Sequence, residues 1–416
     1  MRVPKIFYGW WVVLASGFGF STNPGQFAFG SIGLFIIPLS QEFGWERAEI
    51  SVALTIFTLS LAIISPLTGK LVDRFGAKEV LVPSIFIFGC LLASISAFVS
   101  ELWHLNLIFL LMGTIASGAT ALSYLGVVSG WFNRYRGLAF GLTMAGSGIG
   151  YAYIPPLIQY MIDQYGWRSG YYTLAAIVLV ISLPLVILVI RNKPSELGLL
   201  PDGDINEPVE SVDPENKPQE NGNKAITFKE VLGQKTFWLL YIIFALLSFS
   251  LYGLMTHFIP LLIDRGMEPS SAAIVASVLG ISTAISRVII GFLIDRYFAP
   301  RVALVCVLIS TIGIILLTNG TLGIAVYMSA ILIGISIGAE LDLLGYLTSR
   351  YFGLGSFGMT YGMLLSAFLV GTSTGPIFYG AAYDNFGSYI NILILCCIIL
   401  GVTALLFLLL PKYKNE

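Results

Sequence analysis

The segment GKLVDRF at Gly69–Phe75 recurs as GFLIDRY at Gly291–Tyr297, 222 positions further along the chain. In each copy an Asp–Arg pair follows a glycine by four residues and closes a long apolar run. Charged residues at the end of an apolar run mark the place where a membrane-spanning helix meets water. The recurrence predicts two similar halves, each carrying a loop of this kind.

A second set of residues repeats at an offset of 221 positions. The matched pairs are Gly137 with Gly358, Gly141 with Gly362, Pro155 with Pro376, Asp163 with Asp384, and Gly166 with Gly387. Glycine-rich helices can match by coincidence, but five small or special residues at one offset favour an internal repeat.

The composition is that of a membrane protein. Of 416 residues, 56% are hydrophobic and 11% are charged, whereas soluble domains carry about 25% charged residues. The net charge of −1 gives no reason to expect a nucleic-acid partner. The four cysteines lie in apolar runs without the spacing of a metal site or disulfide framework. The first apolar run is long enough to be a span, so we expect no cleaved signal peptide.

Twelve apolar runs are long enough to cross a bilayer, which takes about 20 helical residues. They fall at residues 8–38, 47–68, 79–99, 104–130, 137–162, 168–190, 236–263, 271–294, 300–318, 321–349, 356–382 and 387–410. The sequence therefore predicts an all-α membrane protein with a six-helix bundle at 1–190, a polar cytoplasmic linker at 191–235 and a second six-helix bundle at 236–416. Because six spans is an even number, the halves would be parallel repeats around a central cavity.

The distribution of Lys and Arg predicts the orientation. With both termini inside, nearly all of the 22 cations fall on the inner side, and the outer loops hold only Arg47, Arg168 and Arg265. We therefore expect a multi-pass protein of the cell (inner or plasma) membrane with cytoplasmic termini. One cation, Arg287, belongs to neither side.

Arg287 lies eight residues before Asp295 in the eighth predicted span, about 12 Å inside the membrane at 1.5 Å per residue. A charge there costs roughly 2.5 kcal/mol or more, so it is usually functional or paired. Two interpretations stay open. Arg287 forms a structural ion pair, or its planar guanidinium binds a substrate carboxylate.

Three titratable residues are candidates for carrying a proton. Glu340 and Asp342 lie inside the tenth span, about 200° apart around a helix, so they cannot face one cavity together. Each either exchanges protons or pairs with Arg350 or Arg287. His257, near the outer end of the seventh span, either titrates at physiological pH or hydrogen-bonds at the helix end.

Three further polar residues are candidates to line the cavity. They are Asn23 in the first span, Tyr124 in the fourth and Tyr361 in the eleventh. Each could instead make helix–helix hydrogen bonds, which are common between spans.

The whole chain resembles the major facilitator superfamily. Gly69–Gly76 is similar to the loop signature of that superfamily, and the glycine-rich run Ala145–Pro156 is similar to its fifth-helix motif. The resemblance implies two six-helix bundles that rock around a central site. It also implies that loop motifs act in this movement, and the matching residues are Gly69, Asp73, Arg74, Asp295 and Arg296.

Four stretches carry a narrower resemblance to bacterial monocarboxylate transporters, close to the oxalate:formate antiporter group. They are Tyr8–Val13, Ser129–Gly141, Lys193–Gly203 and Gly338–Gly353. The resemblance implies that an arginine four residues before a glycine in the eighth helix binds the substrate carboxylate, and Arg287 precedes Gly291 in this way.

The chain departs from that pattern at three places. Thr283 stands where animal members have an Asp, no Lys lies between Phe7 and Pro38, and the stretch Thr360–Asp384 has no Lys or Arg. The proton relay of the animal members therefore cannot be transferred, and a dicarboxylate would lack a second cation.

These observations predict a secondary transporter of small monocarboxylates of the lactate, pyruvate or formate type, coupled to protons and working by alternating access. Its partners would be the organic anion, protons and the bilayer, with the monomer as the functional unit and no cofactor. The alternatives are a proton-driven exporter of drugs or metabolites and an anion exchanger. An enzyme is not expected, because only two histidines, His104 and His257, are present to form a metal cluster.

Overall fold

The computed structural model describes residues 7–132, 134–203, 228–320, 322–353 and 357–413. Within these ranges the regular structure is entirely helical. The α-helices are α1 (Tyr8–Ser21), α2 (Pro24–Phe43), α3 (Arg47–Phe75), α4 (Ala77–Phe98), α5 (Leu102–Thr114), α6 (Ala121–Trp131), α7 (Arg136–Tyr165), α8 (Trp167–Ala176), α9 (Leu183–Val189), α10 (Phe228–Leu232), α11 (Lys235–Asp264), α12 (Pro269–Arg296), α13 (Ala299–Thr318), α14 (Ile324–Phe352), α15 (Phe357–Phe386) and α16 (Ile390–Leu408).

The helices follow the order of the twelve predicted spans. In the described part of the chain, ten helical stretches are long and apolar enough to cross a membrane. The two other predicted spans, 8–38 and 137–162, correspond to α1 with α2 and to α7. Helices suit this environment because each backbone group finds its partner within the same segment, away from lipid.

The first predicted span is two helices rather than one. Asn23 separates α1 from α2: its Oδ1 accepts from the backbone N–H of Gln26 at 3.1 Å, and its Nδ2 donates to the carbonyl of Phe20 at 2.5 Å. Pro24 follows at the first position of α2, where its missing N–H costs nothing. The side chain of Asn23 therefore satisfies backbone groups that the break exposes.

The fourth and sixth predicted spans also change geometry midway. The 3₁₀ segment Ile115–Ala119 joins α5 to α6, and the π-helical segment Ile177–Ser182 joins α8 to α9. Departures of this kind inside a span are often found at functional positions.

Helices of the first six spans approach those of the second six at glycines. A Cβ placed on Gly148 of α7 would lie 2.4 Å from the Cβ of Ala284 of α12. A Cβ on Gly33 of α2 would lie 2.5 Å from the carbonyl oxygen of Thr256 in α11. Only glycine permits such approaches, and small residues serve this purpose between membrane helices. The two sets of spans are therefore packed backbone to backbone at these crossings.

Candidate functional site

Arg287 lies on α12 with its side chain 11% exposed. Its Nη1 is 3.7 Å from Oδ1 of Asp342 on α14, which is an ion pair too long to be a hydrogen bond. The Nε and Nη1 atoms are buried and have no hydrogen-bond partner among the described residues. The charge of the guanidinium is therefore balanced by a carboxylate, but its Nε and Nη1 donors are left without hydrogen bonds to described residues.

Three tyrosines are electrostatic neighbours of this ion pair. Tyr151 of α7, Tyr252 of α11 and Tyr361 of α15 all interact electrostatically with Arg287. The sequence predicts Tyr361 as a cavity-lining residue, whereas it does not single out Tyr151 or Tyr252. Among 20 tyrosines nothing in the local sequence distinguishes those two. Only the packing of α7 and α11 beside α12 shows their position.

The two carboxylates of α14 have different surroundings, as their spacing predicts. The side chain of Asp342 faces Arg287 and is 34% exposed. Glu340 is 0% exposed, and neither of its oxygens has a hydrogen-bond partner among the described residues. Its electrostatic neighbour is the phenol of Tyr252. A charged carboxylate buried in this way is strongly disfavoured, so Glu340 suits the neutral, protonated form.

A second polar cluster closes the end of the protein where α3 begins and α11 and α15 end. Arg47 binds Asp264 through two hydrogen bonds, from Nη1 at 2.6 Å and from Nη2 at 2.9 Å. Nη1 also donates to the hydroxyl of Tyr389 at 2.6 Å. We call the side chains of Arg47, Asp264, Asp384, His257 and Tyr389 the latch. It joins the first six spans to the second six.

His257 belongs to the latch and is completely buried. One ring nitrogen, Nε2, lies 2.9 Å from the carbonyl oxygen of Pro376 and 3.1 Å from Oγ of Ser51. The other, Nδ1, lies 3.0 Å from the hydroxyl of Tyr389. Because a carbonyl only accepts, Nε2 carries the proton and Nδ1 accepts from Tyr389. Neutral His257 is thus satisfied, and its proposed proton-carrying role stays a prediction.

At the opposite end of the protein, where Phe7 and Tyr413 lie, the arginines of the loop motifs pack on aromatic rings. We call this end the termini end. Its loop motifs place the Arg74 guanidinium 5.2 Å from the ring of Phe75, and Arg296 3.8 Å from the ring of Phe292. Between described residues, no salt bridge joins the two sets of spans there. The side chain of Asp73 lies outside the described part, and the motif's role in movement stays a prediction.

Asn23 and Tyr124 have structural partners away from Arg287. The side chain of Asn23 hydrogen-bonds the backbone groups of Phe20 and Gln26 at the break between α1 and α2. Tyr124 is 1% exposed, packs on Phe20 with ring centroids 6.2 Å apart, and lies near the side chain of Ser182. The substrate-binding role of the two residues stays a prediction.

Two sets of membrane-spanning helices with a buried cation near the place where they meet are the arrangement of a membrane transport protein rather than an enzyme. The sequence model of the Major Facilitator Superfamily matches residues 10–362. The chain belongs to the Major Facilitator Superfamily.

Relatives and solved structures agree with this assignment. Monocarboxylate transporter 11 of Mus musculus is 26% identical, covering 97% of this chain and 88% of the relative. Monocarboxylate transporter 12 of Homo sapiens is 24% identical over 93% and 78%. The fold is similar to a bacterial homolog of the human lysosomal transporter Spinster, with a TM-score of 0.72, 17% identity and coverage of 97% and 96%. The nucleoside transporter NupG gives a TM-score of 0.72 at 15% identity, over 97% and 99%.

Proposed function

We propose that this transporter carries small monocarboxylates together with protons, and that Arg287 binds the substrate carboxylate. The observation that supports this most is the state of Arg287. Its Nε and Nη1 donors are buried without hydrogen bonds to described residues, and its nearest counter-charge is 3.7 Å away. A carboxylate oxygen at hydrogen-bond distance would satisfy these donors better than Asp342 does.

The surroundings of Arg287 favour one charge on the substrate rather than two. Among the described side chains only Arg287 forms a salt bridge with Asp342, and the stretch Thr360–Asp384 of the eleventh span has no Lys or Arg. The phenols of Tyr151, Tyr252 and Tyr361 can donate one hydrogen bond each but bring no charge. The relatives named monocarboxylate transporters support the same substrate class.

Asp342 provides a route for coupling to protons. It shares Arg287 with the substrate, so an arriving carboxylate displaces it from the guanidinium. A displaced, partly buried carboxylate is stabilised by taking up a proton, and its 34% exposure leaves it accessible for this. One anion and one proton then bind together, and the charge of the site does not change. Glu340 is the competing carrier, since it is buried without a hydrogen-bond partner among the described residues.

The asymmetry between the two ends supports alternating access. The latch closes its own end, while the termini end has no salt bridge across the two sets of spans between described residues. In this proposal the conformation described is closed at the latch and open toward the termini. Transport requires the latch to separate and the termini end to close.

The proposal is tested by binding and uptake with Arg287→Lys. Purified protein is screened by thermal shift against lactate, pyruvate, formate, acetate and oxalate at two pH values, and uptake is followed in proteoliposomes. We expect the Arg287→Lys variant to fold but to show no thermal shift with the substrate and no uptake. An ammonium group cannot reproduce the two parallel hydrogen bonds that a planar guanidinium donates to a carboxylate. The matched control is Arg168→Lys, whose salt bridge with Glu42 lies at the rim with 44% and 38% exposure.

Three outcomes discriminate between functions. Normal uptake by Arg287→Lys contradicts the assignment of this residue. A thermal shift with apolar drug-like compounds that acetate and lactate do not compete away indicates an exporter instead. Uptake that depends on a second anion inside the vesicle, and not on a pH gradient, indicates an exchanger.

A further inference from the structure

A groove of about 520 Å³ lies where the beginning of α13 meets the end of α16. It is separate from the Arg287 site and from the latch, and it opens at the termini end. Its walls include Phe298, Arg301, Leu304, Phe407, Leu408 and Lys412. Its volume falls within the range of roughly 300–1,000 Å³ that is usual for small-molecule sites.

The groove is polarised along the helix axes. Arg301 lies at the beginning of α13, and Leu304 lies one turn deeper into the same helix. Leu408 is the last residue of α16, and Lys412 follows it four residues later, outside the helix. Both cations therefore lie at the mouth of the groove that faces water, and the apolar side chains lie toward the membrane interior.

The two cations are not neutralised by the described part of the protein. Neither Arg301 nor Lys412 forms a salt bridge with a described carboxylate, and both are exposed. The guanidinium carbon of Arg301 lies 5.9 Å from the centre of the Phe298 ring. Among the described residues, no Asp or Glu lines the groove. Its mouth is therefore a positively charged site with unused capacity for an anion.

The segment that carries Lys412 is held in place by its neighbours. The hydroxyl of Tyr351 donates to the carbonyl of Pro411 at 2.7 Å. The ring of Tyr413 packs against Phe298 with centroids 4.9 Å apart. Lys412 lies between these two anchored residues, so its distance from Arg301 is set by the fold rather than by a free tail.

We propose that this groove binds one anionic phospholipid of the adjoining leaflet, with its phosphate between Arg301 and Lys412 and an acyl chain along Leu304 and Leu408. A free phosphate would use the cations but not the apolar wall, and a neutral lipid would use the wall but not the cations. Basic pockets between membrane helices at this depth match the charge and shape of anionic headgroups.

The test uses full-length protein in detergent with added phosphatidylglycerol or phosphatidylcholine, and native mass spectrometry counts the lipids retained. We expect the wild-type protein to bind one phosphatidylglycerol molecule more tightly than any further lipid molecule. Arg301→Gln with Lys412→Gln should weaken that first binding about 25-fold, at about fivefold for each cation near a lipid surface. The control removes two exposed cations of the same end that do not line the groove, with Lys70→Gln and Lys235→Gln.

A third variant, Leu304→Trp, fills the groove and keeps both charges. It should lose the first phosphatidylglycerol as well, because the site needs the apolar wall. The proposal is overturned if the control loses the lipid as strongly as the double variant, since the attraction is then unspecific. It is also overturned if inorganic phosphate displaces the lipid fully, or if phosphatidylcholine is retained equally well.

Discussion

The carboxylate of Asp384 caps the helix that Arg47 begins. Asp384 accepts hydrogen bonds from the backbone N–H groups of Arg47 at 3.1 Å and Ala48 at 2.8 Å, although it lies on α15 and they lie on α3. The repeat equivalent of Asp384 is Asp163, which accepts instead from Gln159 on its own helix at 2.7 Å. Two residues related by the repeat therefore have different partners, and only Asp384 is seen to join the two sets of spans.

The first prediction concerns the ion pair of the latch. Asp264→Asn should shift the population toward conformations open at the latch end, by roughly 30-fold for on the order of 2 kcal/mol lost from a partly buried pair. Spin labels at Gln41 and Glu268, both exposed at that end, report the change as a longer distance. Glu42→Gln is the control, because Glu42 and Arg168 form an ion pair within the first six spans. Equal distances in wild type and Asp264→Asn would contradict the role of the pair.

The second prediction compares the two repeat-related aspartates. Asp384→Ala should lower the unfolding temperature of the purified protein more than Asp163→Ala, since it removes the acceptor of the first two backbone N–H groups of α3. Loss of a helix cap costs about 1 kcal/mol, and here a contact between the two sets of spans is lost as well. Unfolding followed by intrinsic fluorescence measures both variants, and a larger effect of Asp163→Ala would refute the comparison.

The third prediction separates the two carboxylates of α14. If Asp342 exchanges Arg287 for a proton, then Asp342→Asn should bind substrate equally well at acidic and neutral pH, because an amide neither competes nor titrates. Wild type should bind more tightly at acidic pH, where Asp342 is protonated and releases Arg287. Glu340→Gln should keep this pH dependence, since it replaces a neutral carboxyl with a neutral amide of similar shape. The reverse pattern would assign the proton to Glu340.

The fourth prediction uses two glycines of α7. Gly148→Ala should destabilise the protein and impair uptake, because its Cβ would lie 2.4 Å from the Cβ and 2.7 Å from the Cα of Ala284. A Cβ on Gly141 would have no described atom of a neighbouring segment within 4 Å, so Gly141→Ala should be neutral or raise the unfolding temperature. Alanine is favoured over glycine inside a helix by up to about 1 kcal/mol. Similar unfolding temperatures for the two variants would contradict the importance of this crossing.

Much of the fold can be predicted because lipid imposes long apolar helices, and their number and order are read from hydropathy. The break at Asn23 is not among the predicted features, although the Asn–Pro sequence that causes it is visible, because an apolar run on both sides suggests one span. The 3₁₀ segment after α5 carries no comparable signal in the sequence. Pro184, two residues after the π-helical segment, is a visible signal that the prediction of one regular span does not use.

The candidate site is less predictable than the fold. A lone Arg287 in an apolar run is visible, and so is the carboxylate of Asp342, but their pairing depends on how α12 and α14 pack. His257 is also visible as a titratable residue, yet its partners Ser51, Pro376 and Tyr389 come from three distant segments. Sequence spacing therefore finds the charged groups, while tertiary packing decides which of them meet.

The contact of Gly148 with Ala284 lies near the middle of two long helices, so it is a point about which the two helices can pivot. Twelve residues separate each of them from the termini-end boundary of its helix, Arg136 or Arg296, which is about 18 Å at 1.5 Å per residue. A tilt of roughly 15° about this point would move the helix end by about 5 Å. A small rotation at a nearly fixed centre is therefore enough to admit or exclude a small molecule at the rim.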